Sequence, residues 1–144
     1  MIVVLDTNVL YQALRDSSGA SHFIFQLIRA QQIEITVSVP VFQEYRAVLL
    51  RAQSLADIGL TRKEVETVLH FIAYVAKPTT IHFLMRPNLT DEDDNMFVDL
   101  AFASNSRFII TSNTTDFVHR TELKFDFEIV TPSQFVQIWR KDYG

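Results

Sequence analysis

The chain opens on a continuous apolar run, Ile2-Val3-Val4-Leu5, which ends on Asp6-Thr7-Asn8. A short β-branched run without polar alternation describes a strand covered on both faces. Strands of that kind belong to parallel sheets flanked by helices. In an open α/β sheet, a carboxylate at the carboxyl end of a strand points into the crevice where ligands bind. Asp6 therefore constrains both the architecture and the place where chemistry can occur.

The rest of the chain alternates helical and strand-like segments. A helix runs from Asp6-Thr7-Asn8 to about Leu14, and a second carries Ala20, Phe23, Ile24, Leu27 and Ile28 at helical spacing. Residues 33–37 are strand-like, and Ser38-Val39-Pro40 starts a helix with proline near its first turn. Val41, Phe42, Tyr45, Val48 and Leu49 form its apolar stripe, with Glu44 on the flank. Thr61-Arg62-Lys63-Glu64 is a capping box, opening a helix that turns Val65, Val68, Leu69, Ile72 and Val75 inward. Residues 79–83 are expected as a third strand. An apolar helix over 95–104 carries Phe97, Leu100, Ala101 and Phe102. Residues 108–111 are a fourth, buried strand and 125–130 a last one. Thr131-Pro132-Ser133-Gln134 caps a final helix bearing Phe135, Ile138 and Trp139. This alternation predicts one domain over residues 1–144, a three-layer α/β/α sandwich on a parallel sheet.

Composition narrows the function classes. There is no cysteine, which excludes disulfides and thiolate metal sites and suits a reducing compartment. No basic leader precedes the first strand, and no apolar stretch reaches the roughly 20 residues needed to span a bilayer. A cytoplasmic protein with no membrane partner is expected. The net charge of −4 lacks the basic footprint of a generic nucleic-acid binder. A polyanionic substrate would need bound metal to offset that charge locally.

The candidate functional residues each carry two readings. Asp6 is a favoured helix N-cap as well as a crevice carboxylate. Glu44 is either a solvated face residue or a group flanking the same crevice. Asp91-Glu92-Asp93-Asp94 would favour a helix dipole, but four crowded carboxylates gain from a cation, and oxygen-only clusters suit Mg²⁺ or Mn²⁺. Asp99 stands one residue beyond i+4 from Asp94, as helix surface or a supporting group. Thr111, Asn113 and Asp116 follow the fourth strand, as turn residues or as part of a site beside Asp6. The four histidines show no paired metal spacing, and there is no Gly-rich phosphate loop and no G-x-S-x-G elbow. Acids at strand one, on an early helix and at a late helix suit one or two divalent ions that activate a water for in-line displacement at phosphorus.

Several stretches, in order, carry a family resemblance. They are Val3-Val4-Leu5-Asp6-Thr7-Asn8-Val9-Leu10, Val41-Phe42-Gln43-Glu44, Asp91-Glu92-Asp93-Asp94-Asn95, Ile110-Thr111-Ser112-Asn113 with Thr115-Asp116-Phe117, and Ile129-Val130-Thr131-Pro132-Ser133-Gln134-Phe135. Over essentially the whole chain they resemble the PIN domain, in particular the single-domain VapC-type toxins of toxin–antitoxin systems. The resemblance implies a compact α/β/α fold and a Mg²⁺- or Mn²⁺-dependent ribonuclease acting on RNA. Its three near-invariant acids carry over to Asp6, Glu44 and Asp94, and Asp91 matches a further aspartate. Thr7 and Asn8 match the polar residues beside the first acid, and Thr111 the threonine ending strand four. Where many members have a fourth aspartate, this chain has Asn113, which can ligate through its carbonyl but brings no charge. Asp116 stands nearby as a compensating acid. The resemblance also implies a cognate antitoxin that enters the acidic groove, and a homodimer.

Two other readings stay open on these residues. One is a catalytically weak PIN module that binds RNA or a protein partner, motivated by Asn113. The other is a haloacid-dehalogenase-type phosphatase, since Asp6-Thr7-Asn8 resembles that family's Asp-x-Asp opening. Asn8 replaces its second aspartate, and no later lysine motif is convincing.

Overall fold

The computed structural model describes residues 1–82, 92–117 and 126–143, with backbone only at 92–95 and 116. The order is β1 (Ile2–Leu5), α1 (Thr7–Arg15), α2 (Ala20–Arg29), β2 (Glu34–Val37), α3 (Val39–Leu49), α4 (Ala52–Ile58), α5 (Arg62–Val75), β3 (Lys77–Pro78), α6 (Glu92–Ser104), β4 (Phe108–Ile110), a 3₁₀ turn (Thr114–Phe117), β5 (Glu128–Val130) and α7 (Pro132–Tyr143). The five strands form one sheet in the order β3-β2-β1-β4-β5, and every pairing is parallel. Helices flank it, as the α/β alternation predicts.

The central strands are the driest part of the molecule. Val3, Val4, Ile109 and Ile110 are wholly inaccessible, and Leu5 and Phe108 nearly so. Each such side chain contributes about 1.5–3 kcal/mol by leaving water, which favours placing these strands at the centre. Around them α1 packs on α2 and α2 on α7, while α6 lies against β1, β2 and α3.

Local capping sets where several helices begin. Ser38 Oγ accepts from the Val41 amide at 3.3 Å, and Pro40 sits in the first turn of α3. Both expected capping boxes form. Thr61 and Glu64 exchange bonds of 3.0 and 3.1 Å, and Thr131 and Gln134 bonds of 2.9 and 3.1 Å.

Four expectations change. The third strand is Lys77–Pro78 rather than 79–83, and residues 79–82 are not strand. Its partner β2 ends at Val37, paired with Pro78; the Thr79 amide still donates to the Val37 carbonyl at 2.8 Å, and beyond it Thr80-Ile81 meets no further β2 residue. The late helix begins at Glu92, three residues before the expected start, which puts Asp93 and Asp94 inside its first turn. Phe102 on that helix is exposed; Asp99, which the sequence leaves open between helix surface and a supporting group, is buried at 3 % exposure. The helix α4 was not expected at all. It is short, only Ser54 and Ile58 of it are buried, and it ends on Gly59 in the left-handed region at φ 81°. Among the described residues no helix is long and apolar enough to cross a membrane.

Candidate active site

The strand order reverses at β1. From there the chain proceeds outward to β2 and β3, then returns to place β4 and β5 on the other side. The gap between β1 and β4 is the switch point at which open α/β sheets bind ligands, beyond the carboxyl ends of the strands. The register pairs Leu5 with Ile110, so the strands end level and the next residues, Asp6 and Thr111, stand side by side.

Those residues are joined. The Asp6 amide donates to the Ile110 carbonyl at 2.9 Å. The wholly buried Thr111 hydroxyl donates to Asp6 Oδ2 at 2.7 Å. Asp6 Oδ1 accepts the Thr7 amide at 2.7 Å, as the N-cap of α1. Asp6 thus caps α1 and also lines the cleft beyond the strand ends. Asn8 bridges the two strand ends: its amide donates to Asp6 Oδ2 at 3.2 Å, and its carbonyl accepts the Ser112 amide at 3.1 Å. These donors to Asp6 are all neutral, so they orient the carboxylate without offsetting its charge.

Asp6 is 7 % exposed, and it lines a cleft of about 510 Å³ with Thr7, Asn8, Tyr11, Gln12, Val48 and Ser112. The Thr7 hydroxyl is buried without a hydrogen-bond partner, alone in this among the buried side-chain polar atoms described. A buried orphan hydroxyl loses hydration without recovering it. This one belongs to a residue that lines the cleft beside Asp6.

Helix α3 reaches the same place from the other side. Tyr45 is wholly buried, and its hydroxyl donates to the Leu5 carbonyl at 2.6 Å, one residue before Asp6. Burial first, and the Asp6 carboxylate second, push its phenol far above the usual range, so it stays a neutral donor. From its spacing alone Tyr45 belongs to the apolar stripe of α3. A tyrosine in a fully buried stripe needs a partner for its hydroxyl, and that was the available signal. Glu44 precedes it and is half-buried. Val48, one helical turn after Glu44 on the same face, lines the Asp6 cleft.

The remaining candidates divide. Asn113 is exposed; its amide donates to Thr111 Oγ1 at 3.1 Å, and its side-chain carbonyl accepts from Thr115 at 2.9 Å. Those are local turn bonds, the commoner role of such residues. Asp94 lies in the first turn of α6. A helix leading back into a parallel strand starts at the carboxyl edge of the sheet, the edge where Asp6 lies. The side chains of Asp94 and Asp116, and the whole of Asp91, lie outside what is described. Among the described residues no three acidic, histidine or cysteine side chains gather as a metal cluster. The donors that line the cleft are oxygens, with one buried hydroxyl unused, and that chemistry fits a hard cation such as Mg²⁺ or Mn²⁺.

Comparison with known proteins agrees with this architecture. A family model described as PIN domain matches residues 2–115. The chain belongs to the PIN domain family, whose members are generally nucleases. An uncharacterised protein of Methanocaldococcus jannaschii is 26 % identical over 147 aligned residues, covering 96 % of this chain and 92 % of that one. Among solved structures, VapBC2 from Rickettsia felis, bound to a DNA fragment from their promoter, superposes with a TM-score of 0.61. It covers 91 % of this chain and 98 % of that one at 14 % identity, a likeness of fold. The phosphatase alternative falls with the family assignment.

Proposed function

We propose that the protein is a divalent-metal-dependent endoribonuclease and the toxin of a type II toxin–antitoxin pair. The observation that carries this reading is the buried Asp6 carboxylate at the β1–β4 switch point, fixed by Thr111 and Asn8, with the orphan Thr7 hydroxyl beside it. Asp6, Glu44 and Asp94 would hold Mg²⁺ or Mn²⁺, with Asn113 as a further ligand and Asp91 and Asp116 in support. A divalent cation bound there supplies Lewis-acid activation of water and offsets charge building on the phosphate. The protein's own part is positioning. Thr111, Asn8 and the Thr7 amide hold the Asp6 carboxylate in one orientation, and Tyr45 fixes the strand end against α3. The family supports nuclease chemistry, and the likeness to VapBC2 supports an antitoxin partner; we place that partner in the acidic cleft, as the family resemblance implies. A cytoplasmic homodimer completes the reading.

A second reading, a weakly catalytic PIN module, is favoured by Asn113, whose carbonyl already accepts the Thr115 hydroxyl. Calorimetric titration with Mn²⁺ of the parent and of Asp94→Asn separates the two. Binding in the parent that is lost in the variant, together with cleavage of cellular RNA, supports the nuclease. A parent that binds no Mn²⁺ at millimolar concentration supports the module.

A further inference from the structure

The cleft that holds Asp6 does not end there. It shares Tyr11 and Val48 with a second cleft of about 670 Å³, lined also by Arg51, Gln53, Ser54, Ala56 and Asp57. Together they form one groove that runs from Asp6 along α1 to the start of α4. Tyr11 forms the wall common to both. It is half-buried, and its hydroxyl donates to Asp57 Oδ2 at 2.6 Å, which fixes the ring. That bond to Asp57 is the main reason its phenol is raised above its usual range. Arg15 Nε stands 3.4 Å from Asp57 Oδ1, so the acid is offset by a cation where it meets the groove. Arg51 caps the start of α4, is exposed, and has no ion-pair partner among the described residues.

The arrangement is a fixed aromatic ring followed by an unengaged guanidinium, both on a groove leading away from the acid site. Single-stranded nucleic acid is held by that combination, with bases on aromatic faces and phosphates on basic side chains. Tyr11 lies four residues along α1 from Thr7, roughly 6 Å of helix rise. We infer that the α1–α4 groove is the path of the RNA strand leaving the cleavage site. A base stacks on Tyr11, one or two nucleotides from the scissile phosphate, and a following phosphate meets Arg51. This rests on the nuclease reading and extends it to residues outside the acid cluster.

The test uses one short labelled single-stranded RNA in Mg²⁺ buffer, with binding by fluorescence anisotropy and cleavage on gels. The parent, Arg51→Glu, Tyr11→Leu, Tyr11→Phe and Asp6→Asn are compared, with melting curves confirming that each is folded. Arg51→Glu is expected to weaken binding about tenfold and to reduce its salt dependence by about one ion. Tyr11→Leu is expected to weaken it at least about fivefold, while Tyr11→Phe, which keeps the ring, stays within about twofold. Asp6→Asn loses cleavage whichever way the groove behaves. A parent that binds and cleaves, with Arg51→Glu and Tyr11→Leu unchanged, overturns the groove and leaves the nuclease reading standing. A parent that neither binds nor cleaves RNA overturns both. If Arg51→Glu loses binding to a protein partner but keeps RNA binding, the groove belongs to that partner and the inference fails.

Discussion

Two buried threonines, Thr36 in β2 and Thr111 just past β4, are both wholly inaccessible, and they do different things. Thr36 Oγ1 donates to the Lys77 carbonyl at 2.8 Å and meets the Thr79 hydroxyl at 2.6 Å. It closes the edge of the sheet, where the two-residue β3 ends at Pro78. Thr111 donates to a carboxylate, at the junction where the strand order reverses. The same side chain thus terminates a sheet in one place and aims a charge in the other. What separates the roles is the partner's chemistry and its place in the topology.

Substitutions sharpen that contrast. Thr111→Val removes the hydroxyl that orients Asp6. Its largest expected effect is on function: RNA cleavage and Mn²⁺ affinity fall about 10–100-fold, as when a group supporting a metal ligand is lost. Calorimetry and gel assays on the same preparations check it. A variant with parental affinity and rate would make Thr111 a structural residue like Thr36.

Tyr45→Phe strips a buried donor from the Leu5 carbonyl. The expected cost is about 1–3 kcal/mol of stability, since that carbonyl loses its partner away from water. Thermal melting would show it as a fall of roughly 2–4 °C per kcal/mol. Cleavage is expected to drop less than in Thr111→Val, because the Asp6 carboxylate keeps its own donors.

Thr36→Val tests the edge. It should cost about 1–2 kcal/mol by the same unpaired-group argument, with cleavage unaltered. A comparable loss of cleavage would mean that the sheet edge and the switch point are coupled.

The smallest effect is expected at the cap of α5, the helix leading into β3. Hydrogen bonds from Thr61 hold the Glu64 carboxyl below its usual range. A carboxyl whose folded pKa is depressed adds stability above its unfolded pKa and loses it as pH falls through the folded value. Glu64→Gln should therefore melt slightly below the parent at neutral pH. The difference should vanish in acid, once the parent's carboxyl is protonated. A gap that persists in acid would assign the cap to geometry and not to charge.

The central architecture was legible because it depends on local patterns. The unbroken apolar runs at 2–5 and 108–110 fix two buried strands, and the residues after them become neighbours once those strands pair in parallel. The capping boxes at Thr61 and Thr131 were equally plain. What escaped the sequence depends on partners far along the chain. The β-branched Thr79-Thr80-Ile81 has strand propensity, but only Thr79 still meets β2, which turns into α3 where Thr80 and Ile81 pass. Helix α4 has too narrow a buried face to show a stripe, and only Gly59 marked its end. Tyr45 reads as core and is core, but the partner of its hydroxyl is not legible, and Asp99 stays open between surface and a supporting role, because burial and pairing of a polar group are set by the elements that pack over it. Of the candidate site, the sequence picked out Asp6, Thr7, Asn8 and Thr111, which the structure joins into one cluster. It did not foresee the Tyr45 bond or the groove toward Arg51.

The carboxylate of Asp6 is proposed to serve a metal-dependent cut in RNA. The measurement that tests it most directly is cleavage of cellular RNA by the parent and by Asp6→Asn, with Mn²⁺ and then with a chelator. Cleavage by the parent is expected only when Mn²⁺ is present, with a loss on the order of a thousandfold, ~4 kcal/mol of transition-state stabilisation, in a folded Asp6→Asn. Full metal-dependent cleavage by Asp6→Asn would contradict it.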